Sequence, residues 1–194
     1  MMRKDCIIIK YLLEHKEQEM NINSLAEALQ IDYKTVYTII KRLEKENIVC
    51  LKIFGKAQKI ELNQRSNPLL FQAEFERKNE FLKNKDMKVM FDYFMKGLPT
   101  QFFIFLVFGS YAKKKQTKQS DIDLFFIVSN EEYIRMEKSI HHIASLIPLK
   151  LHVNLFKESE FIAMKKSKEF TVGSEVIKNN IILYGMEQYY GLIQ

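Results

Sequence analysis

Gly109-Ser110 and Asp121-Ile122-Asp123 stand on either side of a short basic segment. On an extended chain side chains alternate faces, so Asp121 and Asp123 leave the same side. Two carboxylates held side by side repel unless a cation lies between them. Mg²⁺ is the usual ion, because it favours carboxylate oxygens together with a substrate's phosphates. A Gly-Ser turn ahead of a helix start offers backbone N–H groups and a hydroxyl to phosphate. Residues 109–124 therefore read as a site for a metal-bound nucleoside triphosphate.

Two strands must position these groups. Phe102 to Phe108 is an apolar run that reads as a buried strand, and Leu124 to Val128 reads as another. Apolar strand, Gly-Ser, spacer, then Asp-x-Asp in a second strand resembles the signature of the DNA polymerase beta-like nucleotidyltransferases, especially the minimal and aminoglycoside nucleotidyltransferases. Tyr111-Ala112 fits that pattern, whereas Lys113-Lys114 replaces its usual Arg-Gly. The resemblance runs from about Leu98 to the C-terminus, where Ile181-Ile182-Leu183-Tyr184-Gly185 is similar to the family's closing segment.

The resemblance implies an α/β (α+β) domain with a small mixed sheet. It also implies transfer of a nucleoside monophosphate, AMP from ATP, to a hydroxyl with Mg²⁺ or Mn²⁺. Asp121 and Asp123 would be catalytic and hold the metal. Gly109 and Ser110 would cradle the β- and γ-phosphates, and Lys113 would add charge. In this family a later strand supplies a third carboxylate between two apolar residues. Val153-Asn154-Leu155 aligns there and supplies Asn154, a neutral carbonyl oxygen; His152 shares its strand face. In two-metal catalysis both ions clamp the displacement, so a lost ligand charge matters. Three readings stay open: catalysis with two carboxylates and a nucleotide-borne metal, a contribution from Glu158 or Glu160, or nucleotide binding without transfer.

The first 65 residues follow a different logic. Ile7 to Leu13 has an apolar helical pattern. Ser24-Leu25-Ala26-Glu27 reads as a capping box with Asn23 competing for the cap, and Asp32 caps a further helix on which Val36, Ile39 or Ile40, and Leu43 face the core. Ile48 to Phe54 and Lys59 to Leu62 read as strands joined by a turn at Gly55-Lys56-Ala57-Gln58. Helix, helix, turn, helix, hairpin is the order of a winged helix-turn-helix, a family that Leu25-Ala26, Thr35-Val36 and Lys41-Arg42-Leu43-Glu44 also resemble. Opposite the apolar stripe lie Lys34, Thr35, Tyr37, Thr38 and Lys41, and Lys56 sits on the wing. A recognition helix presents such residues to the major groove, and lysines hold phosphates. Residues 33–65 carry eight basic and three acidic side chains, a net +5, against +6 for the whole chain. Duplex DNA is the expected partner of this region.

The chain has 194 residues and 47% hydrophobic content, normal for a globular protein. Its longest apolar run, Phe102 to Phe108, is far short of a membrane span. The opening residues show no secretory pattern, and Cys6 and Cys50 have neither metal-ligand spacing nor an oxidising context, so a cytoplasmic protein is expected. His141-His142 falls in a helical pattern, where neighbours diverge by about 100°, and reads as surface or part-buried. The expected division is 1–65 winged helix, 66–97 helical linker and 98–194 nucleotidyltransferase-like domain. The linker's first helix, Leu69 to Lys83, is also an element through which a homodimer could form. A protein acceptor, such as a toxin partner, suits a transferase attached to a DNA-binding module. The rival expectation is a transcriptional regulator whose second domain only binds nucleotide or holds a dimer.

Overall fold

The computed structural model describes residues 3–55, 57–117 and 119–194, and only the backbone of Phe54 and Ala57. They form two compact units, one running to Ala73 and including Gln194, the other Glu74–Ile193.

The first unit contains α1 (Lys4–Glu14), α2 (Ile22–Leu29), α3 (Tyr33–Lys45), β1 (Val49–Phe54) and β2 (Ala57–Leu62). Helix α1 buries Cys6, Ile8, Ile9, Leu12 and Leu13, and starts at Lys4 rather than Ile7. The cap of α2 differs from the sequence expectation. Asn21, not Asn23 or Ser24, is the N-cap: its Oδ1 accepts the Ser24 N–H at 2.9 Å, and Ser24 Oγ accepts the Asn21 N–H at 3.0 Å. The reciprocal bonds satisfy two helix-end donors that would otherwise lack partners, so the helix gains a turn upstream. Gln30 closes α2 in the left-handed region (φ 54°). Asp32 then caps α3, accepting the Thr35 N–H at 2.8 Å, and its hydrogen bonds with Thr35 hold the carboxyl below the usual range. Val36, Ile40 and Leu43 form the buried stripe of α3. Strands β1 and β2 pair antiparallel, Val49 opposite Leu62.

The boundary between the units falls within α4 (Pro68–Phe81). Beyond it come α5 (Lys85–Gly97), β3 (Phe103–Phe108), α6 (Gly109–Ala112), β4 (Ile122–Val128), α7 (Tyr133–Leu146), β5 (Leu151–Lys157), α8 (Glu158–Lys166), α9 (Val172–Lys178), β6 (Asn180–Tyr184) and α10 (Met186–Ile193). The sheet has the order β5-β4-β3-β6 and is mixed: β4–β5 is parallel, while β3 pairs antiparallel with both β4 and β6. The fold class is the one expected, a mixed-sheet α+β domain following a winged helix.

Both faces of the sheet are covered. On one, Phe105, Leu124 and Phe126 pack with Met90 and Phe94 of α5 and Met136 and Ile140 of α7. The rings of Phe105 and Phe126 stack 4.3 Å apart. On the other face an aromatic chain runs from Phe156 through Phe125 and Phe161 to Tyr189 and Tyr190. It ends in buried polar groups. Tyr190 donates to Glu74 Oε1 at 2.6 Å, Arg77 Nη1 pairs with Glu74 Oε2 at 2.6 Å, and Arg77 Nη2 donates to the Asn180 carbonyl. Burial pushes both phenols up; Tyr190 donates to Glu74, while the Tyr189 hydroxyl accepts from Asn180 Nδ2 at 2.8 Å.

Burying a charge is tolerable only while its partner is present. Glu74→Ala leaves the Arg77 guanidinium uncompensated and should cost about 3–5 kcal/mol of this unit's stability. Tyr190→Phe should cost only about 1–3 kcal/mol. Urea unfolding of the two variants beside the parent protein checks the order; equal effects would refute the ion pair's role.

Candidate active site

The site begins where β3 ends. Phe108 lies opposite Asp123 in the β3–β4 ladder, so the next residue, Gly109, turns directly over the Asp123 carboxylate. Gly109 has φ +66°, and a Cβ there would lie 2.2 Å from Asp123 Oδ2. Both the backbone conformation and the space require glycine. Ser110 follows in the first turn of α6, half-buried. The turn is closed by the Lys113 N–H donating to the Gly109 carbonyl at 3.1 Å and the Lys115 N–H to the Ser110 carbonyl at 2.9 Å.

Asp123 is the second residue of β4, whereas Asp121 lies just before the strand, exposed. The parallel pairing of β4 and β5 sets His152 in register with Asp123 and Asn154 in register with Phe125. His152 Nδ1 lies 3.0 Å from Asp123 Oδ1. Asn154 is turned to the backbone, its Nδ2 donating to the Leu124 carbonyl at 3.3 Å. Glu160 is occupied as well, its carboxylate accepting the Lys157 N–H at 2.8 Å at the start of α8; Glu158 is exposed there. Lys113, the expected phosphate-side cation, pairs with Glu175 of α9 at 3.1 Å. Glu175 carried no local signal, being 62 residues away in sequence. His152 had only its shared strand face to mark it.

The groups drawn together are thus Gly109, Asp123 and His152, with Ser110 beside them. Among the described residues no three His, Cys, Asp or Glu side chains gather closely enough to hold a metal. An ion held here would need oxygens from a bound nucleotide or from water to complete its shell.

The profile of the family described as Polymerase beta, Nucleotidyltransferase matches residues 100–189, and that of a winged helix-turn-helix matches residues 9–66. The chain thus carries a nucleotidyltransferase-like region behind a winged helix-turn-helix region. Among individual proteins, it is similar to the capsid-associated protein VP80 of Autographa californica nuclear polyhedrosis virus, 23% identical over 138 residues. That match takes in 71% of this chain but 20% of the viral protein. Solved structures overlap loosely. MepR, a transcription regulator of the Staphylococcus aureus multidrug efflux pump MepA, is 16% identical with a TM-score of 0.33, covering 75% of this chain and 79% of its own. A toxin–antitoxin structure with AMP-PNP is 18% identical with a TM-score of 0.35, covering 56% and 80%.

On the winged-helix unit, the expected DNA-facing residues differ in their partners. Lys34 and Tyr37 are exposed on α3, and Lys34 has no acidic partner among the described residues. Thr35 is half-buried and engaged with Asp32, and Thr38 Oγ1 donates back to the Lys34 carbonyl at 2.8 Å. Lys41 pairs with Glu44 at 2.9 Å. Arg42 pairs with buried Asp5 at 2.8 Å and Lys52 with Glu61 at 2.6 Å. Lys56 lies outside the described residues.

Gly109→Ala tests the packing of the turn. The methyl must displace the Asp123 carboxylate, and the left-handed backbone adds about 1–2 kcal/mol for a residue with a Cβ. The expected result is a stability loss of about 1–3 kcal/mol and a shifted ¹⁵N resonance of the His152 ring. An unshifted His152 resonance would mean the turn does not press on Asp123.

Proposed function

We propose that the second unit binds a nucleoside triphosphate with a divalent ion and transfers its nucleoside monophosphate, AMP from ATP, to a hydroxyl acceptor. The observation that supports this reading is the Asp123 carboxylate packed against the Gly109 turn, which sets carboxylate oxygens beside the backbone of a glycine turn. Gly109 and Ser110 would receive the β- and γ-phosphates. Asp121 and Asp123 would hold Mg²⁺ or Mn²⁺, with Asn154 at the family's third position. A bound metal would neutralise phosphate charge and orient the α-phosphate. The acceptor oxygen would bond to the α-phosphorus as the bond to the bridging oxygen of the β-phosphate breaks; pyrophosphate would leave with that oxygen, and the hydroxyl proton would pass to solvent water. Lys113 would exchange Glu175 for phosphate oxygens. We assign 1–65 to DNA binding, 66–97 to the linker and 98–194 to transfer. A protein hydroxyl, such as that of a toxin partner, is the proposed acceptor, and a homodimer is the proposed assembly.

One observation favours a second reading. Asn154 brings no negative charge and donates its amide to the Leu124 carbonyl. A nucleotide-binding domain that regulates the winged helix without transferring anything would need no third carboxylate.

Calorimetry with ATP and Mg²⁺ tests the site common to both readings. Asp123→Asn should weaken metal-dependent nucleotide binding at least tenfold while leaving the melting temperature within a few degrees. Unchanged affinity would place the nucleotide elsewhere.

The winged helix is proposed to bind duplex DNA with α3 in the major groove. Lys34 is free for a phosphate, whereas Lys41 must first leave Glu44. Lys34→Ala should therefore weaken binding more than Lys41→Ala and reduce the slope of log affinity against log salt by about one. Fluorescence anisotropy with a random-sequence duplex across a salt series measures both; equal effects would contradict the role drawn from the ion pair.

A further inference from the structure

The residue nearest the Asp123 carboxylate on the neighbouring strand is His152, not Asn154. Their register pairing is direct, and parallel neighbours in register share a face of the sheet. We propose that His152 is a metal ligand through Nδ1, standing in for the missing third carboxylate and shifting the site's preference from Mg²⁺ towards Mn²⁺. This rests on the nucleotide-binding reading of Asp123.

Three observations carry it. First, Nδ1 and Oδ1 are 3.0 Å apart. Two adjacent ligands of an octahedral ion, each about 2.1 Å from it, are separated by √2 times that distance, about 3.0 Å. The pair is already spaced as one edge of an octahedron. An ionised carboxylate only accepts hydrogen bonds, so without metal the hydrogen between them belongs to Nδ1. When an ion takes its place, that hydrogen leaves Nδ1 and Nε2 gains one from solvent.

Second, the His152 side chain is 63% exposed, so Nε2 can be hydrated after this change of tautomer and the ring can turn without disturbing the core. Third, Asn154 is not placed to compete. Its amide donates to the Leu124 carbonyl, and its register partner is Phe125, one step further along the face. A nitrogen donor changes the choice of ion. Mg²⁺ is a hard cation that favours oxygen and gives up water reluctantly, whereas imidazole suits first-row transition ions. Mn²⁺ keeps an affinity for carboxylate and phosphate while tolerating the imidazole.

The test uses the full chain with Mn²⁺ and inorganic tripolyphosphate, a probe that supplies phosphates but no nitrogen. Pulsed electron paramagnetic resonance should show a ¹⁴N coupling to Mn²⁺. The coupling should change to that of ¹⁵N when histidine is labelled, and vanish in His152→Ala and His152→Gln, whose folding is checked by melting curves. Calorimetry should give at least tenfold tighter binding of Mn²⁺ than Mg²⁺, with Mn²⁺ about tenfold weaker in His152→Gln and the gap narrowed in His152→Asp. Mn²⁺ that binds, is lost in Asp123→Asn, and shows no nitrogen coupling would overturn the proposal and leave His152 a hydrogen-bond partner only. Absent Mn²⁺ uptake, or uptake indifferent to Asp123→Asn, would overturn both this inference and the nucleotide-site reading beneath it.

Discussion

Asp123 stands opposite Phe108 in the pairing of β3 with β4, and the chain must turn at Gly109, directly over its carboxylate. Everything proposed for the second unit depends on that contact. It is enforced from both sides of the sheet. The Phe105–Phe126 stack and the α5 and α7 side chains hold one face, and the aromatic chain from Phe156 to Tyr190 holds the other. A one-residue slip of β4 would exchange Asp123 with Leu124 and bury a carboxylate against Met90 and Phe94, so the register is strongly specified. The aromatic core thus acts on the chemistry indirectly, by fixing where one carboxylate can be.

Electrostatics divides the two units differently from net charge. In the winged helix the +5 excess of residues 33–65 is a property of sequence, but the folded unit spends several of those cations internally. Arg42 is held by Asp5, Lys41 by Glu44, and Lys52 by Glu61. The Lys41 and Lys52 pairs reach solvent; such pairs are weak, on the order of 0–1 kcal/mol, and DNA phosphates can compete for them, whereas the Asp5 carboxylate that holds Arg42 is buried. In the second unit Lys113 is similarly engaged with Glu175. Both proposed polyanion sites therefore carry carboxylates close to the cations that would receive phosphate.

Much of this was legible in the sequence, for physical reasons that differ by element. Strand β3 could be read because Phe103–Phe108 is apolar on both faces, and α3 because Val36, Ile40 and Leu43 recur at the helical period. The joint occurrence of Gly109-Ser110 and Asp121-x-Asp123 pointed to the family whose profile matches residues 100–189. The cap of α2 was misjudged because Asn21, Asn23 and Ser24 are all competent caps, and only geometry selects one. Helix α10 was not anticipated; Tyr189 and Tyr190 are adjacent, and their burial depends on the distant Asn180 and Glu74. The contact between His152 and Asp123 is a matter of register between parallel strands joined through α7, which no local pattern encodes. The same holds for Lys113 and Glu175.

In the proposed reaction a nucleotide held at this turn gives up its α-phosphate to an acceptor. The most direct measurement incubates the protein and Mn²⁺ with a lysate of the source organism and either α- or γ-³²P-labelled ATP, with Asp123→Asn in parallel. The α-label, not the γ-label, should become covalently attached to a protein, and Asp123→Asn should abolish the attachment. Label transferred from the γ-position, or α-label attached equally by Asp123→Asn, would contradict the proposed reaction. Nucleotide bound with no label transferred to any acceptor would replace the transfer reading with the binding-only one.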